Sequence, residues 1–410
     1  MTEKSQQSFV QPRKTYRKLW LQIHLYLGLI LGAMFALIGL TGSLIVFWQP
    51  LDTALNPVLL KSGSTCIESA YRPLDALLAA AQTRIPAQGQ LGSVSFPDTE
   101  RPLYTLWYQM PAPKADWNDR YTLYIDPCNG TVTGPRLWES QLRPWAKPLM
   151  GIVLKMHTSL MLNFPGLWLG NYLLSFGSAL MMASIVIGVY LWWPRNRRWL
   201  AALKIKRNTS AERLNYDLHK TFGIFVGWLL LVSLFSGIHM YSPWTEWIDR
   251  SVDAVSPVTR LATTPAISQT FPEKSLISAE QAVNIAKASI PDGRPVSLSL
   301  PENSQGVYSV SLTTGAAWDS EVLIDQYSGK VLQRYMPETA TFGDHLLGWL
   351  FPLHTGHAFG LGGRILILLL GLTPSVLFIT GFIRWRQKRK SLGRKSIKNA
   401  HPKHKNRNLC

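Results

Sequence analysis

The chain has 410 residues, 47% hydrophobic and 16% charged, with 16 Trp and a formal charge of +18. That balance excludes an ordinary soluble domain and points to a membrane protein with aromatic belts; the length exceeds what four apolar helices need, so extramembrane domains are expected as well. The charge is no nucleic-acid signature, because 23 of the 42 Lys and Arg lie in residues 1–19, 194–218 and 384–410, each beside an apolar run, with only Glu3, Glu212 and Asp217 among them. Short basic segments flanking apolar helices stay cytoplasmic and lie against anionic lipid.

In chain order, residues 1–19 read as a cytoplasmic arm and 20–48 as an uncleaved first span. Residues 49–145 form a polar domain in which Leu77–Ile85 reads as helix, Tyr104–Tyr108 and Tyr121–Ile125 as strands, and Asp126–Gly130 as a turn. A helix near the outer surface follows (146–164), then the second span (165–193) and a basic cytoplasmic loop (194–218). The third span (219–241) leads into a second polar domain, 242–345, with helix Ser278–Ser289, strands Tyr308–Leu312 and Val322–Ile324, and turn Asp325–Gly329. An interfacial segment (346–363), a fourth span (364–385) and a basic tail (386–410) complete the chain. The expected fold is thus four transmembrane helices in two pseudo-repeats plus two small α+β domains outside the membrane, with both termini inside.

The repeat is read from recurring residues. His24, Gly28, Gly32 and Gly42 recur as His219, Gly223, Gly227 and Gly237 at a constant offset of 195, and His157 recurs as His354. Both polar domains repeat Ile-Pro (Ile85-Pro86, Ile290-Pro291) and an Asp-x-x-x-Gly turn. A His with Gly at i+4 and i+8 places one flat helix face beneath an imidazole, on which a planar macrocycle fits with the imidazole ligating its metal. The competing explanation is a small-xxx-small helix-packing face. Bis-histidine haem suits electron transfer, since both axial positions are filled. The cytoplasmic pair is then His24 with His219 and the outer pair His157 with His354, with Gly28, Gly32, Gly223 and Gly227 as the packing face. His239 and His357 are the alternative ligands. His345 reads as an ordinary loop residue, and His401 and His404 as solvated tail.

Three cysteines without CxxC or CxxCH exclude covalent c-type haem and an iron–sulfur centre. Cys66 and Cys128 share one polar segment and are expected to pair, and Cys410 is expected to be inert. His354-x-x-His357 has a spacing that also suits copper or zinc, but no thiolate or carboxylate triad accompanies it. Span centres without Asp, Glu, Lys or Arg argue against a transporter, and no nucleotide fingerprint follows a strand.

The chain resembles the PepSY-associated transmembrane family. The polar domains are similar to PepSY domains in their helix, Ile-Pro, strands and Asp-x-x-x-Gly turn, and Leu191-Trp-Trp-Pro194 and Leu353-His-Thr355 resemble that family's span signatures. The resemblance implies a bacterial inner-membrane protein with periplasmic domains, in some members a haem b reductase passing electrons outward to a ferric siderophore. The two histidine pairs give an expectation of two haem b groups, and without a nucleotide fingerprint the electron donor is expected to be separate, a quinol or a cytoplasmic reductase. The other function class is a non-enzymatic membrane protein whose PepSY-like domains bind or regulate a periplasmic partner.

Overall fold

The structure, a computed structural model, describes residues 12–64, 66–194, 198–206, 208–262, 265–269 and 275–400. The start of the basic arm, parts of the basic loop, and the tail end with His401, His404 and Cys410 lie outside the described residues. Among the described residues, four helices are long and apolar enough to cross a membrane: Tyr16–Ile45, Leu169–Trp192, Ala211–Ile238 and His357–Ser391. Their flanks carry exposed Ile30, Val186, Phe225 and Trp228, the apolar surface that lipid requires. Helical structure outruns the apolar stretches, from Pro12 in the first helix, Ala211 in the third, and to Ala400 in the fourth. Lys and Arg propagate a helix nearly as well as Ala, so hydropathy marks the span and not the helix end.

The chain divides into two units. One comprises Met1–Leu40, Phe176–Phe235 and Leu369–Cys410, the other Thr41–Ser175 and Ser236–Leu368. In the first unit the helices approach closely where side chains are small. Gly39 lies against the Gly371 carbonyl, and Gly177 against Met34 and Phe35. Arg17 donates to the Leu191 carbonyl (2.7 Å), closing an otherwise orphan helix C-terminus.

The second unit contains an eight-stranded antiparallel sheet. In chain order its strands are β1 Gln90–Ser95, β2 Tyr104–Met110, β3 Asp119–Ile125 and β4 Val132–Glu139, then β7 Arg294–Ser299, β8 Val307–Thr313, β9 Ser320–Asp325 and β10 Val331–Tyr335; β5 Asn163–Phe164 and β6 Leu167–Trp168 form a separate hairpin. The spatial order is β10-β9-β8-β7-β1-β2-β3-β4. The two polar segments, expected as separate domains, thus share one sheet. Val94 pairs with Leu298 between β1 and β7, and Phe96 N–H and Leu300 N–H extend the ladder to the Val296 and Gly92 carbonyls. Pairing these edges removes two rows of unsatisfied backbone groups.

Alternation along the strands turns Leu106, Tyr108, Leu123 and Ile125, and likewise Val310, Leu312, Val322 and Ile324, into one core. Helices Leu74–Gln82 and Ala279–Ser289 cover it through Leu77 and Ala81, and through Ala282, Val283 and Ala286, at helical spacing. Their N-termini cap each other: Asp75 N–H donates to Glu280 Oε2 (3.4 Å) and Glu280 N–H to Asp75 Oδ1 (3.1 Å). The two Asp turns are built alike. Asp126 accepts from Cys128 N–H and Asp325 from Tyr327 and Ser328 N–H, with Gly130 and Gly329 at φ of 77° and 70°. Cys66 and Cys128 are joined by a disulfide.

Candidate functional site

Four histidines form two pairs, one in each unit. In the first unit, His24 on the first membrane helix faces His219 on the third, with ring centroids 6.4 Å apart and planes at 69°. In the second unit, His157 on helix Leu149–Ser159 faces His354 on helix Phe342–Thr355, at 6.2 Å and 53°. Two imidazoles bound on opposite sides of one metal, with metal–nitrogen bonds of about 2.0–2.1 Å, have centroids roughly 6.4 Å apart. Both pairs match that separation.

Each ring is oriented through Nδ1 by a neighbouring helix. His24 Nδ1–H donates to the Ser184 carbonyl (2.9 Å), with Ser184 Oγ at 3.1 Å. His219 Nδ1 lies 2.9 Å from Thr380 Oγ1, and the Leu377 carbonyl is also a partner of its ring. His157 Nδ1 is 3.4 Å from Thr41 Oγ1, and His354 Nδ1 is 3.3 Å from Ser236 Oγ. An outer partner on Nδ1 fixes the tautomer and makes Nε2 the nitrogen a metal takes.

Each ring also lies on a glycine of that same neighbouring helix. A Cβ added at Gly188 would come within 3.0 Å of His24 Cε1, and one at Gly381 within 3.3 Å of His219 Cε1. For Gly42 against His157 and Gly237 against His354 the values are 2.9 and 2.8 Å. At these positions a side chain would drive the imidazole out of place.

The glycines expected to form the macrocycle face are set beside side chains of the other membrane helices or in open space. A Cβ at Gly32 would meet the Phe378 ring (3.1 Å), one at Gly223 Leu377 (3.5 Å) and one at Gly227 Ile185 (3.3 Å), while Gly28 has nothing within 4 Å. The glycines that touch the histidines were not assigned from sequence, although Thr41-Gly42 and Ser236-Gly237 carry a signal: a hydroxyl and a glycine repeating at 195, the offset of His24 and His219. His239, an alternative ligand, has its Nε2 2.7 Å from Asp249 Oδ1, and the imidazoles that face each other are those of the two pairs. His357 opens a short 3₁₀ turn beside Arg364 and Glu100, and His345 packs edge-on against Trp318.

The supports around the second pair are polar and well buried. Tyr241 donates to the carbonyl of Thr158, next to His157 (2.7 Å), and burial pushes its hydroxyl up to about 12. Arg364, 7% exposed, donates from Nε and Nη2 to the Val46 carbonyl (3.3 and 2.8 Å) and from Nη1 to Glu100 (2.5 Å). That contact satisfies the end of the first membrane helix and ties it to the β1–β2 connection.

Among the described residues, no group of three or more His, Cys, Asp or Glu is placed to hold a metal ion. A haem requires no such group, because the porphyrin supplies four of the six ligands and two imidazoles supply the rest. The donor set therefore fits haem better than a bare transition ion, which takes three or four protein ligands. No curated protein matches the chain. The family model described as the PepSY-associated TM region matches residues 21–388, nearly all of the described chain, and the protein belongs to that family.

Proposed function

We propose that this protein is an inner-membrane di-haem b oxidoreductase that carries electrons outward to reduce a periplasmic ferric complex, such as a ferric siderophore, so that the iron is released. The observation that carries the reading is the pair of bis-histidine sites, each with a centroid separation suited to one shared metal, each with Nδ1 engaged and each seated on glycine. His24 and His219 hold one haem and His157 and His354 the other. When bound, haem iron cycles between ferric and ferrous and so relays single electrons. The chain's own contribution is to fix the imidazole planes through Ser184, Thr380, Thr41 and Ser236 and to keep the helices close enough for both ligands to reach.

The two halves are read as a duplication related by an axis along the membrane normal. The recurring residues support this, and so do the reciprocal Asp75–Glu280 caps and the matched Asp126 and Asp325 turns. The basic segments support a reading with both termini and the 194–218 loop in the cytoplasm and the sheet in the periplasm. The donor is a separate molecule, a quinol or a cytoplasmic reductase, and each electron reduces one ferric centre to ferrous. Optical spectroscopy of the purified membrane protein tests the reading. A Soret band with sharp reduced α-bands and two haems per chain is expected, and a colourless protein overturns it.

A further inference from the structure

Arg364 stands near the start of the fourth membrane helix, yet its side chain is only 9% exposed and lies over the Phe47 ring (4.3 Å). A buried guanidinium in a membrane span is costly, and such residues mark function by default. Two contacts tie it to the second histidine pair. Its Nη2 donates to the Val46 carbonyl (2.8 Å), and Val46 N–H donates to the carbonyl of Gly42, the glycine on which the His157 ring lies. Its backbone meets the end of the His354 helix: a Cβ at Gly356, two residues past His354, would stand 2.8 Å from Arg364 N and 2.6 Å from the Gly363 carbonyl. One helical turn, ~6 Å, separates Val46 from Gly42, so the charge lies on the order of 10 Å from the His157 ring.

That charge is not fully cancelled. Its carboxylate partner, Glu100 on the β1–β2 connection, is 32% exposed against 9% for Arg364, so water screens the anion more than the cation. Nor does the architecture require a cation there. The offset of 193 that carries Gly188 to Gly381 also carries Asn171 to Arg364, and Asn171 makes neutral hydrogen bonds with Asn163 (2.8 and 3.3 Å).

We propose that Arg364 sets the reduction potential of the His157–His354 centre, holding it above what the two imidazoles alone give, with Glu100 as a weaker counter-charge. The inference rests on the reductase reading above. The ferric centre carries one more positive charge than the ferrous, so a buried cation disfavours the ferric state and a carboxylate favours it. One electron is gained, and no bond forms or breaks. A unit charge at about 10 Å, with an effective dielectric constant of about 20, is worth roughly tenfold in that equilibrium. A raised potential draws electrons from the His24–His219 centre to the second one.

The test is spectroelectrochemical titration of the full-length protein in detergent, with haem per chain measured on the same samples. The component missing from His157→Ala identifies the second centre. Arg364→Gln is expected to lower its midpoint by about 59 mV, the one-electron equivalent of tenfold. Glu100→Gln is expected to raise it by less, because solvent already screens that charge. Arg364→Lys is expected to stay near the wild-type value, since it keeps the charge and loses only the planar fork. A purely structural role would make the Lys and Gln variants alike. An unmoved midpoint in Arg364→Gln, shifts of one sign in Arg364→Gln and Glu100→Gln, or a Lys variant that matches the Gln variant overturns the inference. If Arg364→Gln loses the second haem, Glu100→Gln decides: a raised midpoint supports the inference, and an unmoved or lowered one overturns it. A colourless wild type overturns the reductase reading and this inference together, whereas a haem-bearing wild type whose variants fail these shifts overturns the inference alone.

Discussion

Gly237 lies flat against the imidazole of His354, so close that a Cβ there would stand 2.8 Å from Cε1. The preceding residue, Ser236, reaches Nδ1 of the same ring. One helix turn thus provides both the space and the orientation for the ligand, and Gly42 with Thr41 does the same for His157. Gly237→Val or Gly42→Val is expected to displace its imidazole and halve the haem content, measured as pyridine haemochrome per chain.

Removing the ligands sorts the two centres. His24→Ala or His219→Ala is expected to remove one haem and leave the second, and His157→Ala or His354→Ala to do the converse, so that the reduced spectra of the two classes sum to the wild-type spectrum. His239→Ala is expected to retain both haems, because the imidazoles that face each other are His24 with His219 and His157 with His354. Loss of a haem in His239→Ala would reassign the second pair.

Much of this was legible in the sequence because it is local or periodic. Spans follow from hydropathy, and Leu106, Tyr108, Val310 and Leu312 from strand alternation. The histidine pairs came from repetition alone. Strands β4 and β7 were not legible because each contains a proline: Pro135 sits in an edge strand, and Pro295 at the register shift of β7 against β8. The β1–β7 pairing that merges the two halves joins Val94 to Leu298, a long-range contact no window of sequence can register. The roles of Gly188 and Gly381 were hidden for a similar reason, since a glycine's partner lies on another helix.

The Asp turns give the sheet an acid limit. Burial pushes the Asp126 carboxyl up, but the Ser62 hydroxyl, Cys128 N–H and Ser64 hydroxyl together hold it below its ordinary value. At Asp325, burial is likewise outweighed by Ser328 and by Tyr327 and Gln269 N–H. A carboxyl depressed in the folded state stabilises fully above its unfolded pKa of roughly 3.9, and that contribution fades as pH falls through the folded value. Thermal unfolding followed by circular dichroism should therefore show stability level near neutrality and falling below about pH 4. Asp126→Ala with Asp325→Ala is expected to lower the neutral plateau and flatten the acid slope; an unchanged slope would assign acid sensitivity elsewhere.

Asp52 and Arg136 form a two-pronged ion pair (2.7 and 2.8 Å) with side chains only 4% and 12% exposed, joining helix Trp48–Leu55 to β4. The pair spans the sheet face opposite the core, where Trp107 and Trp138 pack edge to face and Tyr124 Oη lies 3.4 Å from the guanidinium. Burial works against the guanidinium's charge, but the Asp52 carboxylate and Tyr124 hydroxyl outweigh it, so Arg136 stays charged. Breaking such a pair from one side strands the other charge, which costs about 3–5 kcal/mol, whereas replacing both partners by apolar groups of similar size is often neutral. Arg136→Met and Asp52→Leu are each expected to destabilise the sheet strongly in denaturant titration, and the double variant to recover most of the loss. Additive losses in the double variant would mean that each residue acts through separate contacts. Recovery would show that what this position needs is burial and shape, with the charges serving to match the strand to the helix that follows the first membrane span.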